Sequence, residues 1–438
     1  MTIERFGVAA YGSGTVFHAP VVKAGNWIFG TGLRAVGAHG LIHADVLRAG
    51  RPLDAPPKAE REAQFIFEQM SRHLEAAGSA LSQVVRLDQY YPDWRSVDAY
   101  HCARKAALHG QVAPSTSILV SGLLNRDAGM DIQVMAASLD SGINIEALAA
   151  PTVGAPKESG YSPCLRAGDF IFVAGQLARD ESGDIATAAV VPATQLWKGT
   201  RIKLETDYLI RRRLVPSLEA AGSRLDLVLK AQVYLSHEED LPMFLQTWRA
   251  AFPDRIPPTT IVPVRHPAFG THDARLEVNV VAAHADAAYR IRDIECDVEL
   301  LVPDMLPARS LDGLLFVAGL MAIDKTGLVP RARILESAPF FQDGAREQMA
   351  DILSKAQKIF AAAGSDLGNV VRALHFQRDL STFGRAYQEW RTMVGDAGLP
   401  FSAIEVNSSL FVPGAELIVD LTGHVPCPQE PARSAALM

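Results

Sequence analysis

The chain has 438 residues, 48% of them hydrophobic and 21% charged, a globular composition in a chain too long for one ordinary core; about three domains are expected. A net charge of −7 leaves no basic footprint for nucleic acid, and no apolar run is long enough to span a bilayer. The opening MTIERFGVAAYGSG has no signal-peptide pattern, and Cys102, Cys164, Cys296 and Cys427 lack CxxC spacing, so a cytoplasmic chain with reduced thiols is expected.

From the N-terminus, the first signal is the apolar run KAGNWIFGTG, which ends at Gly32 and reads as a buried strand. A long amphipathic helix follows. Its apolar positions Ala63, Ile66, Phe67, Met70, Leu74 and Ala77 are mostly three and four apart. Gly78 stands where a helix needs a left-handed residue after its last turn. Next come a β-like stretch at 84–87, a second helix over 97–108, and Pro114 before a Ser/Thr-rich segment.

The series then starts again. RAGDFIFVAG ends at Gly175, 143 residues after Gly32, and SLDGLLFVAG ends at Gly319, 144 residues further on. The LEAAGS around Gly78 recurs at Gly222 and, more loosely, at Gly364, at spacings of 144 and 142. Pro114, Pro258 and Pro400 repeat those spacings. Three anchors with one period predict three whole domains, 1–147, 148–290 and 291–438, because the period is far too long for a solenoid unit. The turn at 180–184 suits a hairpin. Second helices over 241–252 and 383–394 and paired closing strands give each copy the order ββαβαββ. That is an α+β sandwich with helices on one face of a sheet. No Walker or Rossmann glycine motif occurs.

The segment YSPCLRAGDFIFVAGQ, Tyr161 to Gln176, resembles the opening of the reactive-intermediate deaminases, the RidA/YjgF family. The closing RLEVNVVA, Arg275 to Ala282, is similar to that family's last strand. The likeness extends through all three copies. It implies a chorismate-mutase-like fold in which three copies surround an axis, a single-chain pseudo-trimer in place of a homotrimer. It also implies small-molecule clefts at the three interfaces and no cofactor. A higher homo-oligomer of such pseudo-trimers stays open.

Family deaminases hold a substrate carboxylate with an arginine two residues past the proline. Thr116, Thr260 and Ser402 stand there in this chain, so poor turnover of 2-aminoacrylate-like imino acids is expected. The resemblance places Tyr161, Thr31, Gln176, Thr116 and Thr260 in substrate-binding positions. His18 and Met305 are the counterparts of Tyr161, and Ala174 and Ala318 those of Thr31. For catalysis it points to Glu277 on the closing strand, able to orient water or to act as general acid or base. Gln133 and Ile418 align with Glu277, and Asp131 and Asp420 lie two residues away on the same strand face. His18 is a further catalytic candidate. His266, with His272 and Asp273 nearby, reads as a substrate-contacting loop. Its spacing matches no closed zinc motif, and no metal is expected. At most two clefts should retain chemistry, the third (Met305, Ala318, Phe401) being the least polar.

The expected function is a cofactor-independent hydrolase or deaminase for an imine, enamine, enol or cyclic amide, with water activated by a carboxylate. The alternatives are a chorismatase-like enol-ether hydrolase and a non-catalytic ligand-binding or regulatory protein.

Overall fold

The computed structural model describes residues 3–426 except 12–13, 38–39, 48–55, 111, 151–159, 195–199, 335–336, 338–341 and 407. Cys427 and the tail after it lie outside the described residues.

The chain forms three large sheets with one strand order. The first runs Glu4–Phe6, Val21–Ala24, Trp27–Leu33, Asp131–Ala137, Val84–Tyr91, Ser115–Leu119. The second runs Ile145–Leu148, Cys164–Ala167, Phe170–Gln176, Leu276–Ala283, Val228–Leu235, Thr259–Pro263. The third runs Arg292–Ile294, Ala308–Leu311, Leu314–Val317, Leu417–His424, Val370–Gln377, Phe401–Glu405, and gains Gly122–Leu123 at its far edge. The first two sheets thus have one more edge strand than the sequence pattern announced, and the third has two more. The strand Ile145–Leu148 pairs with Cys164–Ala167, so the second sheet starts just before residue 148. The fifth and sixth strands in each order are parallel, a pairing that needs a crossover. The helices Arg95–Ala107, Leu241–Ala251 and Phe383–Val394 supply it.

Helices cover one face of each sheet. In the first, Ile66, Phe67, Met70 and Leu74 of helix Lys58–Ala76 pack with Leu87, Tyr91 and Val134, each such side chain contributing about 1.5–3 kcal/mol on burial. Gly78, Gly222 and Gly364 adopt φ of +80°, +70° and +82°, the left-handed stop that the sequence signalled. The middle helix departs from the pattern. Pro216 cannot donate an N–H, and its ring crowds the carbonyl four residues back. Just before it the chain widens into a π-helical turn, Ile210–Leu214, that carries Arg211, Arg212 and Arg213.

The opposite faces of the three sheets meet one another. Alternation along Val84–Tyr91 sends Leu87 and Tyr91 to the helices and Arg86, Asp88 and Tyr90 inward. Tyr90, Tyr234 and Phe376, one from each sheet, form a buried aromatic layer. The ring centroids of Tyr90 and Tyr234 lie 6.0 and 6.2 Å from that of Phe376, and the two hydroxyls are 2.9 Å apart. A charged layer adjoins it: Arg86, Lys230 and Arg372, again one per sheet, share Asp88 and Asp420. An apolar cluster with Trp27, Phe29, Phe170, Phe172 and Phe316 completes the interior. Parallel bridges Val112–Tyr161, Ile256–Met305 and Leu399–His18 tie the first sheet to the second, the second to the third, and the third back to the first. No helix among the described residues is long and apolar enough to cross a membrane.

Candidate functional site

Strand register fixes which side chains are equivalent. Asp131 lies opposite Tyr90, Glu277 opposite Tyr234 and Ile418 opposite Phe376. The counterpart of Glu277 is therefore Asp131, a two-residue correction to the alignment with Gln133. Gln133, Asn279 and Asp420 share the next inward position, opposite Asp88, Gln232 and Leu374.

Two of the three seams between sheets are filled. Where the third sheet meets the first, Arg34 Nη1 donates to Asp131 Oδ2 at 2.5 Å, and both side chains are fully buried. Ser402 Oγ donates to the other oxygen of Asp131 at 2.8 Å and accepts from the Gly32 N–H at 2.9 Å. His18 Nε2 donates to the Thr31 carbonyl at 3.1 Å, and its ring stands edge-on to Phe401. Burial first, then Arg34, pushes the His18 imidazole down to about 3. His18, Thr31 and Asp131 thus come together in a closed seam, with the histidine neutral and the aspartate consumed by an arginine.

Where the second sheet meets the third, Thr260 packs within 3.1 Å of the position a Cβ on Gly319 would take. Lys230 Nζ contacts Asp420 at 2.8 Å and donates to Thr260 Oγ1 at 2.8 Å and to the Val317 carbonyl, while the Thr260 hydroxyl donates to Asp420. Met305, Ala318 and Ile418, the counterparts of Tyr161, Ala174 and Glu277, are buried and apolar, and Lys230 adds an ion pair beside them by reaching across from the neighbouring sheet to Asp420.

The seam between the first and second sheets stays open, with a cavity of about 470 Å³. Ser115, Ser117 and Leu119 face it from one strand, Trp94, Val97, Asp98 and His101 from the crossover helix and its lead-in, and Tyr161, Leu177, Arg179, Phe269 and Glu277 from the second sheet and its loops. Strand alternation turns Thr116 the other way, where its Oγ1 accepts from Asn279 Nδ2 at 3.0 Å. Gln176 is buried beside the cavity, its Oε1 accepting from Arg213 Nε at 3.1 Å. His266 is exposed with His272 and Asp273, their donor atoms within 4.8 Å of one another. It does not line the cavity, although Phe269 and Gly270 of the same loop do.

Glu277 is 4% exposed and is the buried carboxylate of this cavity. Burial raises its pKa to about 8; Arg179 opposes the shift and Asp88 adds to it. At neutral pH the group is a carboxylic acid. Arg179 Nη2 donates to the Tyr161 hydroxyl at 2.8 Å, which sets a cation and a phenol on the same wall. His101, pushed down to about 3 by burial and then by Arg104 and Lys105, is neutral. Apolar surface, one fixed cation and one protonated acid suit a small anionic substrate that must receive a proton.

Arg179 escaped the sequence reading because no motif marks it. It stands four residues past the Gly175 anchor, where the other copies have Val36 and Ile323, and that contrast was its only signal. Gly175 itself is required: a Cβ there would lie 1.9 Å from Glu277 Oε1. Gly175→Ala should therefore displace the carboxyl and depress turnover nearly as much as Glu277→Gln, with thermal melting showing an intact fold. Full activity in the alanine variant would mean that the carboxyl position is not critical.

Residues 152–284 match the family model described as Endoribonuclease L-PSP. A RutC family protein of Pyrococcus horikoshii is 32% identical over 134 residues, 30% of this chain and 93% of that protein. One of Pyrococcus abyssi is 35% identical over 115 residues, 26% of this chain and 80% of that protein. Among solved structures, RidA from an Antarctic Psychrobacter is 19% identical, with a TM-score of 0.25 over 32% of this chain and 98% of its own. A chorismatase is 12% identical, with a TM-score of 0.47 over 78% of this chain and 93% of its own. The RutC relatives carry the assignment: the chain belongs to the RutC (RidA) family.

Proposed function

We propose that the chain is a cofactor-independent hydrolase or deaminase for a small, anionic imine, enamine or enol, working at the cavity between its first and second sheets. The observation that carries this reading is Glu277: a buried, protonated acid facing an open cavity beside Arg179, while Asp131 is locked to Arg34 and the third equivalent is Ile418. Arg179 and Tyr161 hold the substrate's acidic group. Glu277 gives its proton to the imine nitrogen, or to the enamine or enol carbon. Water then adds to the cationic carbon and returns a proton to the carboxylate; the adduct of an imine or enamine expels ammonia, and that of an enol ether expels its alcohol. The acid is thereby regenerated without an added reductant or metal.

The same proposal covers the architecture. Domains 1–147, 148–290 and 291–438 are read as three family-like copies in a single-chain pseudo-trimer. The shared strand order and the three equivalent parallel bridges support it.

The test is an assay of the whole chain against imines released by amino-acid oxidases, 2-aminoacrylate among them, together with carboxylated enols. At least one carboxylated substrate should turn over, and Arg179→Met should raise its KM by roughly 10-fold or more, as loss of a charge-assisted contact requires. No turnover across the panel would favour the non-catalytic ligand-binding reading. Rapid turnover that ignores Arg179→Met would place the carboxylate elsewhere.

A further inference from the structure

Arg179 also lines a second space. On the outside of the second sheet, a groove of about 600 Å³ is lined by Arg179, Tyr208, Arg211, Arg212 and Arg213, together with Asp180 and Glu181. Arg213 projects from the widened turn Ile210–Leu214, so the proline-driven irregularity of that helix is what presents it.

Arg179 is 8% exposed and Arg213 4%. Guanidinium groups buried to this degree are ordinarily paired with carboxylates, because an unpaired buried charge is strongly destabilising. Among the described residues neither has such a partner. Arg179 donates to the Tyr161 hydroxyl, and Arg213 Nε to the Gln176 amide oxygen. Their neighbours contrast with them. Arg211 is paired with Asp207 at 2.7 Å, and Asp180 is engaged by the backbone and hydroxyl of Ser182 at 2.9 and 2.6 Å. Burial first, and then the field of Arg179, draws the pKa of Arg213 down, as expected of two cations facing one another across a shared space.

A guanidinium offers a planar fork that matches carboxylate and phosphate oxygens. Two unpaired forks, one on the reaction cavity and both on the outer groove, match two negative charges. We infer that Arg179 and Arg213 form a dianion subsite, so that the substrate is a small molecule with two acidic groups, its reacting end beside Glu277 and its second acid in the outer groove. The catalytic part rests on the function proposed above; the subsite itself does not.

Titration calorimetry on the whole chain with butyrate, glutarate and inorganic phosphate tests it. Glutarate or phosphate should bind at least ~10-fold more tightly than butyrate, about what one added charge-assisted contact supplies. Phosphate ahead of glutarate assigns the second acid to a phosphoryl group, and the reverse order to a carboxylate. Arg213→Met should erase the preference while leaving butyrate binding unchanged. Arg213→Lys, which keeps the charge but not the fork, should also weaken it and covers the case of a poorly folded methionine variant. Equal affinities for the three anions, or a preference that survives both substitutions, would overturn the subsite. If the wild type turns over nothing yet keeps the dianion preference, the catalytic reading fails and the subsite stands.

Discussion

Replacing Glu277 by glutamine should lower turnover by roughly 10²–10⁴-fold, the usual worth of a positioned proton donor, and should at the same time stabilise the protein in alkali. The two effects share one origin. The side chain is buried with its pKa raised from 4.5 to about 8, so below pH 4.5 it is protonated in both folded and unfolded chains and costs nothing. Between pH 4.5 and about 8 the unfolded chain ionises while the folded one does not, and folding loses about 1.4 kcal/mol per pH unit. Above about pH 8 the penalty is complete, at most about 5 kcal/mol. Glutamine does not ionise and escapes it. Denaturation curves for the two proteins should coincide near pH 4 and separate towards pH 8, with the variant the more stable. Wild-type turnover should fall as pH rises through about 8, where the acid form disappears. An inactive variant with no alkaline stability gain would mean that the carboxyl ionises freely and that its role is not that of an acid.

Asp420→Asn should do the reverse, costing about 3–5 kcal/mol of stability with little effect on the chemistry of the folded fraction. Asp420 is fully buried and engages Lys230 at 2.8 Å and Arg372 at 3.0 Å. Burial alone would raise its pKa, but the two cations outweigh that and lower it. Its contribution is therefore present above the ordinary aspartate pKa of 3.8 and is lost as pH falls through the lower folded value. Asparagine leaves three cations, Arg86, Lys230 and Arg372, with one carboxylate, Asp88. Urea titration measures the loss. A change below about 1 kcal/mol would show that the charged layer is not what holds the second and third sheets together.

The fold was legible in the sequence to the extent that local chemistry repeats. The glycines at 78, 222 and 364 and the apolar runs ending at Gly32, Gly175 and Gly319 mark helix ends and strands directly. The additional edge strands were not, because Glu4–Phe6 and Arg292–Ile294 are short, polar and backbone-paired rather than patterned. At the site, Glu277 and Tyr161 were legible through family resemblance, and the structure places both in the open cavity. His18 and Asp131 were equally plausible by type. Only the structure shows Arg34 and Phe401 occupying the space a substrate would need. Arg179 and Arg213 were invisible for a different reason: an arginine in sequence gives no sign of whether a carboxylate will meet it.

The three seams carry three different polar sets: Thr116 with Asn279, Thr260 and Lys230 with Asp420, and Ser402 and Arg34 with Asp131. In a ring of identical subunits every seam is the same, and any subunit can sit beside any other. Here the seams are keyed. A chain that took up a non-equivalent copy from a neighbouring molecule, or closed its sheets in the opposite circular order, would bring Gln133 or Asn279 to the place built for Asp420 and strand Lys230 without a carboxylate. The unlike polar sets thus favour one circular order of the three sheets over the other.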